Sequence, residues 1–152
     1  MKRLSLLRHA KSSWKHPGLD DHDRPLNRRG RQAAATIGRW IAERGYAPDL
    51  VLSSTSARTC ETWERMSGDF GDETEIRLVT SLYHADPEEI LSALRGAGTI
   101  GTVLVLGHNP GIGISDSRAL YGMSAQSWQL SCSEGSPCVT SLCLWRRRHP
   151  TA

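Results

Sequence analysis

Two arginines and two histidines in this sequence lie where the strands of a parallel sheet would end. Arg8 and His9 follow the first apolar run, Arg58 comes shortly after the second, and His108 follows a run of valine and leucine. Loops after strand ends are where α/β proteins place their chemistry, so one edge of a sheet would gather all four. Two guanidiniums and two imidazoles suit one anionic group, and the pattern predicts a phosphate-handling site.

The residue types indicate how such a site would work. Arginine binds a phosphate dianion through a planar fork that stays charged, so Arg8 and Arg58 are the candidate phosphate ligands. A neutral imidazole whose second nitrogen donates a hydrogen bond is a competent nucleophile, and we assign that role to His9. His108 would stabilise charge on the transferring phosphoryl group. Asn109, in the same tight turn, is a further candidate for phosphate or substrate binding.

Strand and helix signals alternate along the first hundred residues. Asn27 predicts the start of an amphipathic helix. Asp86 predicts another, with a proline in its first turn, a capping box with Glu89 and an end at Gly96. The predicted strands are residues 3–7, 49–53, 76–79 and 102–106, with a helix after each of the first three. This order predicts an α/β fold, a three-layer sandwich with a mostly parallel central sheet and helices on both faces, in a single domain over residues 1–152.

The composition argues against several classes of partner and cofactor. A formal net charge of +3 falls well short of the basic stripe of a nucleic-acid-binding protein. The four cysteines form no CxxC pair, so we expect no metal and no cofactor. Arg8 and His9 interrupt the first apolar run too early for a signal peptide, and no apolar run approaches transmembrane length. We therefore expect a cytoplasmic protein without nucleic-acid or membrane partners.

Five motifs in the chain resemble, in order and spacing, those of the histidine phosphatase superfamily. They are LLRHAKSSW (6–14), DHDRPLNRRGRQAA (21–34), SSTSARTCET (53–62), LYHADPEEIL (82–91) and LVLGHNPGI (104–112). The likeness covers residues 2 to about 114 and is closest to the SixA-type phosphohistidine phosphatases, whose fold is phosphoglycerate mutase-like. It implies that His9 becomes phosphorylated and that Arg8 and Arg58 hold the phosphate. It also implies that His108 completes the pocket and that Ser12 lines its mouth.

The resemblance implies a metal-independent phosphatase with a phosphohistidine intermediate, acting on phosphohistidine in a protein partner. A phosphatase for small phosphorylated substrates is the enzymatic alternative. A binding module that recognises phosphate or phosphohistidine without turnover is the alternative from a different, non-enzymatic class of protein. SixA-type proteins resemble one another in lacking the carboxylate that protonates the leaving group elsewhere in the superfamily. Tyr83, His84 and Asp86 are the candidates for a substitute acid.

The long loop after the first strand contains an acidic cluster, Asp20–Asp23. Such a cluster could hold a metal through hard ligands, but consecutive carboxylates beside a proline are more often solvated. We interpret the segment as a loop over the pocket mouth, in which Arg24 contacts substrate or pairs internally. The nearby Arg28, Arg29 and Arg31 are interpreted as a solvated helix face, with the steering of an acidic partner as the alternative.

Residues 115–152 depart from the family resemblance. They are rich in serine and cysteine and show no clean helical stripe, and Val139–Trp145 is the only strand candidate there. One hypothesis is a change of reading frame in the gene. The other is divergence that still supplies the last strand of the sheet.

Overall fold

One mixed sheet organises the residues that the computed structural model describes, which are 3–112, 128–132 and 142–147. The strands are β1 (Arg3–Arg8), β2 (Leu50–Ser53), β3 (Glu75–Leu78), β4 (Thr102–Gly107), β5 (Trp128–Cys132) and β6 (Leu142–Arg147). The helices are α1 (Arg28–Glu43), α2 (Ala57–Met66) and α3 (Pro87–Arg95). The strands lie side by side in the order β3-β2-β4-β1-β6-β5.

The parallel part of the sheet brings the ends of distant strands together. β4 pairs in parallel with both β1 and β2, and β2 pairs in parallel with β3. Arg8, the last residue of β1, lies opposite Gly107, the last residue of β4. His9 and His108 therefore leave the sheet at the same edge. On the other side of β1, β6 is antiparallel to β1 and β5 is antiparallel to β6.

The two faces of the sheet pack against different helices, because successive side chains of a strand point to opposite faces. On one face the strands contribute Leu4, Leu6, Leu50, Leu52, Val103 and Val105, which pack with Ile90, Leu91 and Leu94 of α3. On the other face Leu7, Val51, Leu104 and Leu106 pack with Ile37 and Ile41 of α1 and Met66 of α2. The predicted α/β sandwich with helices on both faces is confirmed.

Two of the predicted helix starts have the expected caps. The side chain of Asn27 accepts a hydrogen bond from the backbone N–H of Gly30 at the start of α1. Asp86 and Glu89 form a reciprocal capping box at the start of α3. In α2 the N-cap is Ser56, whose side chain makes no capping bond to the backbone. None of the helices in the described ranges is long and apolar enough to cross a membrane.

Two glycines of α1 permit close approaches that a larger side chain would prevent. A Cβ at Gly38 would lie 2.6 Å from the Cβ of Met66 in α2. A Cβ at Gly30 would lie 2.2 Å from the carbonyl oxygen of Lys11, in the loop after β1. Both distances are shorter than real Cβ contacts, so α1 packs closely on α2 and also supports that loop.

An ion pair between Arg31 of α1 and Glu61 of α2 corrects one interpretation of the sequence. Arg28 and Arg29 are exposed as expected, but Arg31 is half-buried against its partner and is not part of a solvated face. The other carboxylate oxygen of Glu61 accepts a 2.7 Å hydrogen bond from the backbone N–H of Leu26. Arg31 therefore helps to join two helices and the loop that leads into the first of them.

The end of the chain contains one strand more than the sequence predicts. The candidate strand at 139–145 overlaps β6, which runs from Leu142 to Arg147, but β5 was not expected. The β5 sequence WQLSC does alternate apolar and polar residues, which is the usual signal of a half-buried strand. The composition of the surrounding segment hides that signal. Residues 113–127, 133–141 and 148–152 lie outside the described ranges, so the two hypotheses on residues 115–152 stay open.

Candidate active site

A cavity of about 620 Å³ opens at the carboxyl ends of the parallel strands. All six site residues predicted from the sequence line it: Arg8, His9, Ser12, Arg58, His108 and Asn109. Its wall also includes Lys11, Trp14, Asp21, Arg24, Arg29 and His84, together with apolar residues of β1 and α1. The fold thus places the predicted cluster in one concave site, as the strand-end positions indicated.

His9 is held in one tautomer by the chain itself. Its Nδ1 lies 2.7 Å from the backbone carbonyl oxygen of Ala10, which can only accept, so Nδ1 carries the proton. Nε2 is then unprotonated, and it accepts a 3.3 Å hydrogen bond from Nε of Arg58. Burial, with the nearby charges of Arg58 and Arg8, lowers the pKa of His9 to about 4. At neutral pH the imidazole is therefore uncharged, with a lone pair directed at the arginine side of the cavity.

Arg58 is buried in the first turn of α2 with only 3% of its side chain exposed. Its Nη1 donates to the backbone carbonyl of Asp21, and its Nη2 donates to the Asp21 carboxylate at 2.8 Å. With Nε on His9, the guanidinium has a partner in each of its three directions. The planar side chain is thereby fixed in the wall of the cavity, with its Nε edge toward His9.

His108 is oriented by the serines of the loop between β2 and α2. Its Nε2 lies 2.9 Å from Oγ of Ser54 and 3.4 Å from Oγ of Ser56. Its Nδ1 is buried and has no hydrogen-bond partner among the described residues. Burial, with the neighbouring His9 and Arg58, lowers the pKa of His108 to about 3. The ring is therefore neutral and lies 5.1 Å from the ring of His9, measured between centroids.

Arg8 also presents a buried polar atom without a partner. Its Nε makes no hydrogen bond within the described part of the chain, although it has almost no contact with solvent. A buried donor that lacks an acceptor is costly, and in native proteins it usually marks a ligand or solvent position. Arg8 and His108 both line the cavity. Arg8 Nε is a donor, and His108 Nδ1 is a donor when Nε2 accepts from the hydroxyl of Ser54, so an anion bound there would find donors already in place.

Asp21 is a site residue that the sequence reasoning did not identify. One of its carboxylate oxygens accepts hydrogen bonds from Arg58, from the hydroxyl of Tyr83 at 2.8 Å and from Nε2 of His84 at 3.2 Å. The other oxygen accepts from Nη1 of Arg24 at 2.6 Å. Burial alone would raise the pKa of Asp21, but these hydrogen bonds outweigh it and hold the pKa well below its usual range. The carboxylate is therefore ionised at every pH at which the protein would work.

Of the acidic cluster, Asp21 is the residue that lines the cavity. Among the described residues, no group of three or more His, Cys, Asp or Glu side chains is arranged to hold a metal ion. In the sequence, Asp21 stands out only as a member of the acidic cluster and as the first residue of the motif DHDRPLNRRGRQAA. Its partners lie at 24, 58, 83 and 84, so the network forms only when the chain folds.

Arg24 pairs internally, as one of the two alternatives for it proposed. Besides Asp21, it donates to Oγ of Ser12 at 2.7 Å and to the carbonyl of Ser13 at 3.1 Å. Its guanidinium carbon lies 3.2 Å from the ring centre of Trp14, a residue that is 79% exposed. Ser12 therefore lines the cavity with its hydroxyl engaged by Arg24, and the loop is fixed as a unit around that arginine.

The three candidate acids occupy different positions. Asp86 is committed to the cap of α3, where its Oδ1 accepts from the backbone N–H of Glu89 at 3.0 Å. Tyr83 donates its hydroxyl proton to Asp21, and burial with that contact raises the pKa of the phenol. His84 lines the cavity and also contacts Asp21. The structure therefore brings Tyr83 and His84 to the site but not Asp86.

One family model and several known proteins are similar to this chain. The model of the histidine phosphatase superfamily, branch 1, matches residues 4–83, a range that contains Arg8, His9 and Arg58. An uncharacterized chloroplast protein of Arabidopsis thaliana is 34% identical over 120 residues, which are 72% of this chain and 55% of that protein. The chain thus spans little more than half the length of that relative.

Solved structures are similar over about three quarters of the chain. A protein of Agrobacterium tumefaciens whose name assigns it to the SixA phosphohistidine phosphatases is 38% identical, with a TM-score of 0.70. That match covers 75% of this chain and 74% of the other. A protein histidine phosphatase SixA complexed with tungstate is 20% identical, with a TM-score of 0.67 over 74% of this chain and 73% of the other. Because the sequence identity to this SixA protein is only 20%, the similarity shows a shared fold and nothing more.

Proposed function

The chain belongs to the histidine phosphatase superfamily, branch 1, and on that premise we propose that it removes phosphoryl groups through a phosphohistidine intermediate on His9. The observation that carries the proposal is the state of His9. Its Nδ1 proton is held by the Ala10 carbonyl, and its Nε2 lone pair faces the edge of Arg58. A neutral, oriented imidazole next to a fixed cation is what in-line attack on a phosphorus atom requires.

In the first step the Nε2 lone pair of His9 attacks phosphorus, and the bond between phosphorus and the leaving group breaks. Nε of Arg58 would transfer its hydrogen bond from His9 to a phosphoryl oxygen as the new bond forms. The buried Nε of Arg8 and Nδ1 of His108 would donate to the remaining oxygens. Donors that are already in place stabilise the developing charge without reorganisation, and in phosphoryl transfer this is the main contribution a protein can make.

In the second step a water molecule attacks the phosphorus of phosphorylated His9. The bond to Nε2 breaks, its electron pair returns to the imidazole, and inorganic phosphate leaves. Because the pKa of His9 is lowered to about 4, the regenerated imidazole stays neutral and is ready for another turnover.

We propose protein phosphohistidine as the substrate class. The 38% identity to a protein named as a phosphohistidine phosphatase supports this choice. The exposed residues His84 and Asn109 at the cavity mouth leave room for a side chain to enter. A phosphoramidate also has a better leaving group than an alkyl phosphate once its nitrogen is protonated, which suits a site without a buried carboxylic acid.

The test compares two substrates and two variants. Phosphate release is measured from a protein phosphorylated on histidine and from para-nitrophenyl phosphate, with the wild-type chain, His9→Ala and His16→Ala. His16 is exposed and does not line the cavity, so it controls for the loss of an imidazole. We expect His9→Ala to lose at least about 10³-fold in turnover, because the nucleophile is absent, and His16→Ala to keep full activity.

A second readout is the acid-labile phosphoryl group itself, trapped on the wild-type protein by rapid quenching and located by peptide mapping. A phosphoryl group on His9, with faster release from phosphohistidine than from the aryl ester, is the expected result. Preference for the aryl ester would replace protein phosphohistidine by small esters as the substrate class. A folded protein that binds phosphate but releases none would contradict the catalytic proposal.

A further inference from the structure

His84 has an unusual backbone conformation at the mouth of the cavity. Its φ angle is +52°, and it is the one non-glycine residue with a positive φ in the described part of the chain. A histidine adopts this left-handed region at a cost, so surrounding structure must impose it. Such residues cluster at functional sites, where strain directs a side chain to a required position.

The neighbours of His84 account for this conformation. Leu82 and Ala85 are buried on either side of it, and Asp86 caps α3 directly afterwards. The backbone of Ala85 is packed so closely against Gly111 that a Cβ on the glycine would lie 2.0 Å from its carbonyl oxygen. The chain is therefore anchored before and after His84, and the left-handed turn directs the imidazole toward the cavity.

The imidazole of His84 is both accessible and oriented. Its side chain is 52% exposed, and its ring centre lies 5.2 Å from that of His108. Nε2 lies 3.2 Å from the Asp21 carboxylate and donates to it. Nδ1 makes no hydrogen bond to any other described residue. His84 lines the cavity, so its unused nitrogen is available to a group bound there. A ring held at one nitrogen by a carboxylate, with the other nitrogen free, is the usual arrangement of a histidine that transfers protons.

The other titratable groups around His84 are less suitable as proton donors to a leaving group. Asp86 is used by the helix cap. The hydroxyl proton of Tyr83 is held by Asp21, and the raised pKa of the phenol makes it a weaker acid. The lowered pKa of His108 leaves that ring neutral, and the single N–H of a neutral imidazole donates a hydrogen bond but is too weak an acid to protonate a leaving group. An imidazole ordinarily exchanges its proton near neutral pH, which is the property a general acid needs.

We propose that His84, oriented by Asp21, is the general acid for the leaving group and the general base for water. The proposal rests on the function proposed above. When Nε2 of His9 attacks phosphorus, the electron pair of the breaking bond goes to the leaving nitrogen or oxygen, which takes the Nδ1 proton of His84. His84 becomes neutral. It then accepts a proton from the water that attacks phosphorylated His9, so the proton balance closes with each turnover.

The described groups in contact with the His84 ring are the Asp21 carboxylate and the rings of Tyr83 and His108. The carboxylate accepts the hydrogen bond from Nε2, so Nδ1 is the nitrogen available to exchange a proton with the leaving group.

The test is the dependence of rate on the leaving group. The substrates are aryl phosphates that range from phenyl phosphate to esters of strongly acidic phenols. The variants are His84→Asn and, as an exposed-histidine control, His16→Ala. Asparagine tolerates the left-handed region, so His84→Asn keeps the backbone conformation and removes the acid. For the poorest leaving group we expect a loss of about 100-fold or more, and for the most acidic phenol a loss below about 3-fold, because that anion needs no proton.

One further readout separates general acid catalysis from a structural role. Free imidazole should restore part of the activity of the variant toward phenyl phosphate. An equal loss for every leaving group, or no loss for any, would overturn the proposal. If the wild-type chain itself forms no phosphoryl-His9, it is the proposed function that fails, and the two failures are therefore distinguishable.

Discussion

Replacing Arg58 with lysine keeps the positive charge in the cavity but removes the planar fork. In the wild-type chain the guanidinium donates in three directions, to Nε2 of His9 and to the carbonyl and carboxylate of Asp21. A single ammonium group on a flexible stem can reproduce one of these contacts with good geometry. Arg58→Lys should therefore lose two hydrogen bonds to charged or polar partners, and His9 and Asp21 should both become less well oriented.

The expected loss follows from the contacts. Hydrogen bonds that involve a charged group are each worth about 1.5–3 kcal/mol, so two would amount to about 3–6 kcal/mol. The Asp21 side chain is 43% exposed, and water there replaces part of what the arginine provided. Taking half of the range leaves about 1.5–3 kcal/mol of transition-state stabilisation, or about a 13- to 160-fold fall in kcat/KM.

The assay is steady-state phosphate release, with the folded fraction of each variant matched by circular dichroism. Arg28→Lys is the control, because Arg28 is exposed on α1 and does not line the cavity. We expect this control to stay within about 2-fold of the wild-type rate. If Arg58→Lys also stayed within about 3-fold, charge alone would be sufficient and the argument from guanidinium geometry would be refuted.

Two further predictions concern stability. The pKa values of His9 and His108, about 4 and about 3 in the folded chain, lie below the unfolded value of 6.5. The two neutral histidines therefore make their full contribution to stability above pH 6.5. When the pH is lowered from 7 to 5, the free energy of unfolding measured with urea should fall by on the order of 2 kcal/mol for each histidine. Equal stability at both pH values would contradict the burial argument. Gly38→Ala should lower the free energy of unfolding by about 1–3 kcal/mol, because the new Cβ meets Met66. Gly68→Ala, where a Cβ meets nothing within 4 Å, should change it little in the same denaturant titration.

Much of the fold could be predicted from local signals. The Asn27 cap, the Asp86 capping box and the alternating strands were each encoded in a few neighbouring residues, and the structure confirms them. The α/β class followed from their order, because parallel strands need crossover helices. The β5 strand was missed, since its short apolar alternation lies in a segment of unusual composition. The pairing of Arg31 was missed because its partner, Glu61, lies on another helix.

The sequence by itself determined which chemistry the site could perform. Arg8, His9, Arg58 and His108 follow strand ends or begin a helix, and strand order alone brings such positions to one edge of a parallel sheet. Tertiary structure alone decided how those groups are held. Asp21 joins residues from three separate segments, and the neutral state of the two histidines depends on burial that no local pattern encodes. The physical reason is that hydrogen bonds and desolvation depend on distances in space, which the spacing of residues along a chain does not specify.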